Sequence, residues 1–361
     1  MKKRIGIDAR LYSQTGVGRY IRNLLENLDT TSQTHEYVVF LNEEDWDTAQ
    51  HLKNKFILRK ATVRWHSVKE QIEMPILLSK EQLDLVHIPY FNVPLYCPIP
   101  FVVTIHDLTI LTHPTGRAST LSKPLYTLKR LAYKQVLSHS VHSACHIIVP
   151  SRSVEQDIKT FFPNSDIPVT VTYEGVKTFT PAQKSRIKTP YFLYVGNAYP
   201  HKNIEYLLRV FQKLSSDTHL VLVGEEDFFY TRLKKDVSDP RIHFFGHATD
   251  EELSTLYSHA KALVFPSLSE GFGLPLVEAM AYGCPVIASD IPVFKEVCQD
   301  SAIYFDPKNE DALLDILKDT DTSKGKNSLL VTKGKQLVQQ YSWQKMAKET
   351  QRIYENCIRL R

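Results

Sequence analysis

Short apolar runs alternate along this chain with longer stretches in which apolar residues recur at helical spacing. That alternation predicts parallel strands covered on both faces by helices. In the first half the runs fall at residues 5–9, 37–41, 56–63, 85–88, 101–105 and 146–149, with a further strand near 170–173. A polar stretch over 177–190 holds two prolines and few apolar residues, and reads as a linker. The alternation restarts at 191–195, 219–223, 242–245, 262–265, 286–288 and 302–305. Two βα series of similar length predict an α/β protein of two Rossmann-like domains, residues 1–176 and 190–342. Ligands of such sheets bind at the carboxyl ends of the strands, here expected to face a cleft. The segment 343–361 places Trp343, Met346, Ala347, Thr350, Ile353, Tyr354 and Cys357 on one stripe of a helix. That helix is expected to pack back on the first domain, because the second series is already complete.

Composition narrows the classes. With 361 residues, 43% hydrophobic and 23% charged, the chain can bury two cores. A net charge of +4 is too mild to argue for nucleic acid. The five cysteines (Cys97, Cys145, Cys284, Cys298 and Cys357) are scattered and form no CxxC. They read as small buried apolar residues rather than a disulfide framework or zinc site. No aspartate cluster suggests a metal, so neither metal nor cofactor is expected. After the basic start, Asp8 ends the apolar run within three residues, so no signal sequence is expected. No stretch approaches the ~18 uncharged apolar residues of a membrane helix. The expected location is the cytoplasm, or the membrane face that borders it.

The strongest local signal follows the run at 262–265: Glu270-Gly271-Phe272-Gly273-Leu274-Pro275-Leu276-Val277-Glu278. Gly271 and Gly273 let the backbone turn tightly and approach a ligand without a Cβ. Pro275 suits the start of a helix, where its missing N–H costs nothing. The amides around Leu274 and Leu276, with the helix dipole, then make an anion site fit for a diphosphate. Glu278, expected in the first turn, is placed to accept two hydrogen bonds from a ribose diol, and Glu270 to face a sugar. The bare alternative is a strand–turn–helix unit with two solvated glutamates; the Gly-Phe-Gly-Leu-Pro frame between them favours the functional reading.

This segment resembles the donor-binding motif of the family 4 retaining glycosyltransferases, which have the GT-B fold, and the resemblance extends over nearly the whole chain. It implies two Rossmann-like domains facing across a cleft, with the last helix crossing back to the first. It also implies transfer of a hexose from a nucleotide diphosphate sugar to a glycan or lipid-linked acceptor. Gly196-Asn197-Ala198-Tyr199-Pro200-His201-Lys202-Asn203 resembles the family's diphosphate-binding turn, whose lysine neutralises the leaving group. Lys202 stands just before a helix that Asn203 is placed to cap, where a cation is useful only beside an anion. The plain alternative is a surface lysine. Many relatives carry an arginine five residues before this lysine. Asn197 stands there in this chain, so that clamp is weaker or comes from elsewhere, with Arg10 and Arg19 as candidates.

In the first domain Thr15-Gly16-Val17-Gly18-Arg19-Tyr20 follows the first strand and opens a helix. A dinucleotide site is the rival reading, but Ile21 occupies the third glycine position and the second strand ends without the expected acid. The resemblance assigns Gly16 and Gly18 to the cleft, over the donor phosphates and acceptor. His106 stands at the carboxyl end of the strand at 101–105, with a structural histidine as the alternative. The family reading has it hydrogen-bonding the donor sugar, with Asp107 orienting it or the next turn. By position alone, Gly224, Glu225, Gly246 and His247 cradle the nucleobase.

Between Asp107 and Glu155 no acidic residue occurs, while Arg117, Lys123, Lys129, Arg130, Lys134 and Arg152 do. Leu121, Leu125, Leu128, Leu131 and Tyr133 are interspersed among them. Two readings stay open: a core-packed helix with a solvated basic face, or a surface over 117–134 for an anionic membrane or a lipid-diphosphate acceptor.

Sugar transfer breaks the anomeric C–O bond and builds charge on a diphosphate, so electrostatic help from Lys202 and the helix amides is the expected main contribution. The resemblance implies retention, and no carboxylate pair for double displacement is evident. A sugar-nucleotide epimerase of the same architecture and a non-catalytic sugar-nucleotide sensor remain as rivals. The joint presence of His106, Lys202, Glu270 and Glu278 argues against the sensor. GDP-mannose is the first expected donor because the Gly-Asn…His-Lys-Asn form resembles the family's mannosyltransferases; UDP-glucose stays open.

Overall fold

The computed structural model describes residues 2–29, 35–113, 123–182, 186–322 and 328–359, with backbone alone at 123–126. The chain divides into two compact units, one of residues 2–108, 123–174 and 342–359, the other of 109–113 and 175–341.

In chain order the first unit holds β1 (Lys3–Asp8), α1 (Gly16–Asn27), β2 (His35–Leu41), β3 (Ile57–Lys60), α2 (Glu70–Lys80), β4 (Leu85–Ile88) and β5 (Phe101–Thr104). After α3 (Thr109–Thr112), which groups with the second unit, come α4 (Lys123–Ser143), β6 (His146–Val149), α5 (Arg152–Phe161) and β7 (Val169–Val171). These strands form one parallel sheet in the order β3-β2-β1-β4-β5-β6-β7. Its central strands β4 and β5 are buried at every position, which is why their sequences are apolar apart from the buried His87 and Thr104. The strand expected over 56–63 is shorter than that: Val63 is buried, but its carbonyl accepts Arg10 Nη1 at 3.2 Å instead of continuing the ladder.

The second unit holds β8 (Tyr191–Val195), α6 (Ile204–Gln212), β9 (His219–Val223), α7 (Phe228–Lys235), β10 (Ile242–Gly246), α8 (Asp250–His259) and β11 (Ala262–Phe265). It continues with α9 (Leu274–Ala281), β12 (Val286–Ser289), α10 (Pro292–Cys298), β13 (Ala302–Phe305), α11 (Glu310–Thr322) and α12 (Ser328–Leu337). Its parallel sheet runs β10-β9-β8-β11-β12-β13. In both sheets the order reverses direction beside the first strand of the series, between β1 and β4 and between β8 and β11. Loops diverge at such a point and leave a crevice for a ligand.

The last helix, α13 (Trp343–Arg359), buries Trp343, Met346, Ala347, Thr350, Ile353, Tyr354 and Cys357, the whole expected stripe. It belongs to the first unit and packs on α1. There the Tyr354 hydroxyl meets His87 Nδ1 at 2.6 Å, while His87 Nε2 meets Thr104 Oγ1 at 2.8 Å. Burial holds His87 far below the usual imidazole range, to about 3, with the His106 charge adding to it. A buried neutral histidine thus ties the last helix to the centre of the first sheet.

Candidate active site

In the second unit the site grows from the reversal point of the sheet. The turn after β8 carries Lys202, and the loop after β11, its hydrogen-bonded neighbour, carries Glu270. The two side chains meet, Lys202 Nζ to Glu270 Oε1, at 2.6 Å. They are 15% and 11% exposed, so the pair is largely shielded from water. The Leu268 N–H donates to the His201 carbonyl at 2.7 Å, which fixes the two turns to one another. The anion expected beside Lys202 is therefore present in the protein itself, as the Glu270 carboxylate.

The Gly-Phe-Gly segment behaves as its sequence requires. Gly273 lies in the left-handed region at φ 97°, where a Cβ would also stand 3.1 Å from the Phe294 ring. Phe272 is buried and anchors the loop edge-on to Tyr341, with ring centres 5.4 Å apart. Gly271 completes the turn from Glu270. Three local expectations are corrected. The helix begins at Leu274, so Pro275 is its second residue and Glu278 its fifth, past the first turn. The Leu276 N–H is already committed, donating to the Gly273 carbonyl at 2.9 Å. Asn203 precedes α6 in a left-handed conformation, φ 58°, and its side chain caps nothing; Nδ2 donates to the Pro307 carbonyl at 3.3 Å.

Glu278 is buried, and Oε2 accepts the Tyr257 hydroxyl at 2.9 Å. Tyr257 comes from α8, which a capping box of Thr249 and Glu252 starts, and its ring stacks on Tyr282 at 5.9 Å. No sequence pattern singles out Tyr257. Asn197 contributes its carbonyl to the Tyr194 hydroxyl at 2.8 Å. At the neighbouring strand ends, the Gly224 N–H donates to the Gly246 carbonyl at 3.0 Å. A Cβ on Gly224 would lie 2.2 Å from the Gly196 carbonyl oxygen, so only glycine permits this approach of the two loops. Gly246 faces open space and His247 is exposed beside it.

In the first unit His106 is held on three sides. Nε2 lies 3.1 Å from the Pro89 carbonyl, Nδ1 lies 3.4 Å from Glu174 Oε1, and the Tyr20 ring stands edge-on at 4.9 Å. A carbonyl only accepts, so Nε2 bears a hydrogen. The carboxylate facing Nδ1 is the buried Glu174; Asp107, expected to orient this histidine or the next turn, is not the group at that nitrogen. Arg10 is no spare phosphate clamp. Its guanidinium is buried and bound to Asp8 at 2.6 and 2.9 Å and to Glu70 at 2.6 Å. Burial raises the Glu70 pKa against the opposing pull of Arg10. Arg19 is half-buried on α1. Gly16 opens α1 at the surface, and Gly18 packs on the Tyr12 carbonyl. Of the basic segment, Arg117 and Leu121 lie outside the described residues, as do the side chains of Lys123 and Leu125.

Two parallel sheets of Rossmann order on one chain, with a lysine–glutamate pair at the reversal point and a glycine-started helix behind it, define a GT-B glycosyltransferase. The chain matches the model of Glycosyltransferase Family 4 over residues 14–178 and that of Glycosyl transferases group 1 over 177–337. It is 30% identical to the O-antigen chain mannosyltransferase RfbU of Salmonella typhimurium, over 71% of this chain and 70% of that protein. It is 25% identical to O-antigen chain mannosyltransferase B of Escherichia coli, over 95% and 97% of the two chains. Among solved structures, Anabaena HepE in complex with UDP and glucose superposes with a TM-score of 0.78 at 14% identity, covering 98% and 100% of the chains. The protein belongs to the family 4 glycosyltransferases and is a mannosyltransferase-like member of it.

Proposed function

We propose that the chain transfers mannose from GDP-mannose to a hydroxyl of a glycan or lipid-linked glycan, with retention of anomeric configuration. The observation that carries this reading is the 2.6 Å pair of Lys202 and Glu270 at the sheet reversal point. A donor diphosphate offers Lys202 a second anion. As Lys202 turns to it, Glu270 is released to accept hydrogen bonds from sugar hydroxyls. The bond from the anomeric carbon to the phosphate oxygen breaks, and the acceptor oxygen bonds to that carbon from the same face. The acceptor proton passes to the departing phosphate oxygen, and Lys202 stabilises the charge that grows there. Glu278, set by Tyr257, takes the ribose diol, and Gly246 and His247 border the base.

The names of the O-antigen mannosyltransferase relatives support the choice of mannose. The test is a panel of nucleotide sugars offered with mannose-containing glycans, followed by proton NMR of the product. The reading predicts GDP release coupled to an α-linked mannoside. Faster consumption of a UDP sugar, or a β-linked product, overturns it.

A further inference from the structure

We propose that the cavity between α6 and α7 of the second unit is a binding subsite for a neutral oligosaccharide, separate from the candidate active site. Its volume is about 540 Å³, within the roughly 300–1,000 Å³ of small-molecule sites. Glu205 and Arg209 of α6 stand four residues apart, and Phe229, Arg232 and Leu233 of α7 at i, i+3 and i+4, so each set turns one helix face to the cavity. Tyr199, in the turn before α6, and Leu268 complete the lining. Neither Lys202 nor Glu270 is part of it.

The charges on the walls narrow the ligand. Each arginine at the cavity already has a carboxylate. Arg232 Nη2 pairs with Glu205 Oε1 across the two helices, and Arg209 Nε pairs with Glu310 Oε1 at 3.0 Å. A phosphate-bearing ligand would have to displace those carboxylates, whereas a neutral one leaves both pairs intact. The Arg232 and Glu205 side chains are 40% and 43% exposed, and their mutual contact uses one atom of each. A guanidinium only donates and a carboxylate only accepts, while a hydroxyl does both. Side by side, the two groups therefore suit the neighbouring hydroxyls of a sugar ring.

The apolar part of the lining suits the other side of such a ring. Tyr199 is 40% exposed, yet its ring is held, stacked on His201 with centres 6.0 Å apart and met edge-on by Phe229 at 5.0 Å. The C–H bonds of a pyranose carry partial positive charge, which the negative face of an aromatic ring attracts. A platform already fixed by its neighbours costs little further ordering when the ligand arrives. A purely apolar ligand would leave the Arg232–Glu205 pair unused; a sugar engages the pair and the ring together. Tyr199 also belongs to the turn of Lys202, whose N–H donates to the Tyr199 carbonyl at 2.8 Å. An occupied subsite would thus retain a glycan chain beside the donor turn, and that role alone rests on the transferase reading.

The test is calorimetry of the full chain with α-linked mannotetraose, in the presence and absence of GDP. Binding of equal strength is expected in both, because the cavity shares no residue with the Lys202–Glu270 pair. The E205A/R232A double variant should bind the tetrasaccharide at least about tenfold more weakly. Exposed ion pairs add little to stability, so its melting temperature and its turnover of a monosaccharide acceptor should not change. R232K keeps the charge without the planar fork and should restore only part of the affinity. Inorganic phosphate should not compete. A wild type that binds no tetrasaccharide overturns the proposal, as does a double variant that binds like the wild type. Loss of binding on adding GDP would place the glycan in the donor site instead, and competition by phosphate would make the cavity an anion site. Because the binding measurements need no turnover, failure here leaves the transferase reading standing.

Discussion

Lys202 and Glu270, 68 residues apart in sequence, meet at 2.6 Å across the neighbouring ends of β8 and β11. Each is the other's counter-ion here, and on the proposed reading the donor diphosphate displaces the carboxylate from the lysine. Glu270→Gln removes that competitor. GDP should then bind more tightly in calorimetry, while turnover falls about 10²-fold through the lost charged contact to the sugar. Weaker GDP binding would show that Glu270 holds Lys202 in place rather than competing with the donor.

Glu278 should act on the nucleotide and Tyr257 through Glu278. Glu278→Ala is expected to weaken GDP binding by about 1–3 kcal/mol, the value of hydrogen bonds to a charged group. Tyr257→Phe removes one hydrogen bond to Oε2 and should cost about 1 kcal/mol of the same binding. Calorimetry that finds GDP affinity untouched in both variants would place the ribose elsewhere.

Acid should weaken the first unit through its buried histidines. In unfolded chains histidine titrates near ~6.5. Burial lowers His87 to about 3 and His66 to about 4, so below pH ~6.5 the unfolded state takes up protons that the folded state refuses. Stability present above that pH is lost as the pH falls toward the folded values, by up to about 1.4 kcal/mol per pH unit for each group. His87→Gln keeps a hydrogen-bonding side chain without an ionisable ring, and should show a shallower loss in denaturant titrations from pH 6.5 down to 4.5. An unchanged slope would mean His87 is not the responsible group.

Turnover should persist in excess EDTA. Among the described residues no group of three His, Cys, Asp or Glu side chains could hold a metal ion. The cation at the diphosphate is therefore expected to be Lys202. Activity lost in EDTA and restored by Mg²⁺ or Mn²⁺ would contradict this.

The fold was legible wherever burial is two-sided. β4, β5 and β11 are short, wholly buried and each bordered by a proline, so each reads directly as a strand. The stripe of α13 was equally plain, because one face is fully covered. Local geometry at the site was less so. Gly273 takes the left-handed turn itself, which delays the helix start and moves Glu278 out of the first turn. Asn203 does the same before α6, and its amide goes to Pro307. Partners set by tertiary contact left no local mark. Glu174 reaches His106 from the irregular chain after β7, and Tyr257 reaches Glu278 from another helix.

The most direct test of the account is the steady-state kinetics of Lys202→Ala. Charge on the leaving diphosphate increases as the anomeric bond breaks, so Lys202 should matter more in the transition state than in the bound donor. Turnover at saturating donor should fall by roughly 10²-fold or more, with a much smaller change in donor affinity. Turnover within a few-fold of wild type would contradict the account, reducing the Lys202–Glu270 pair to a structural ion pair.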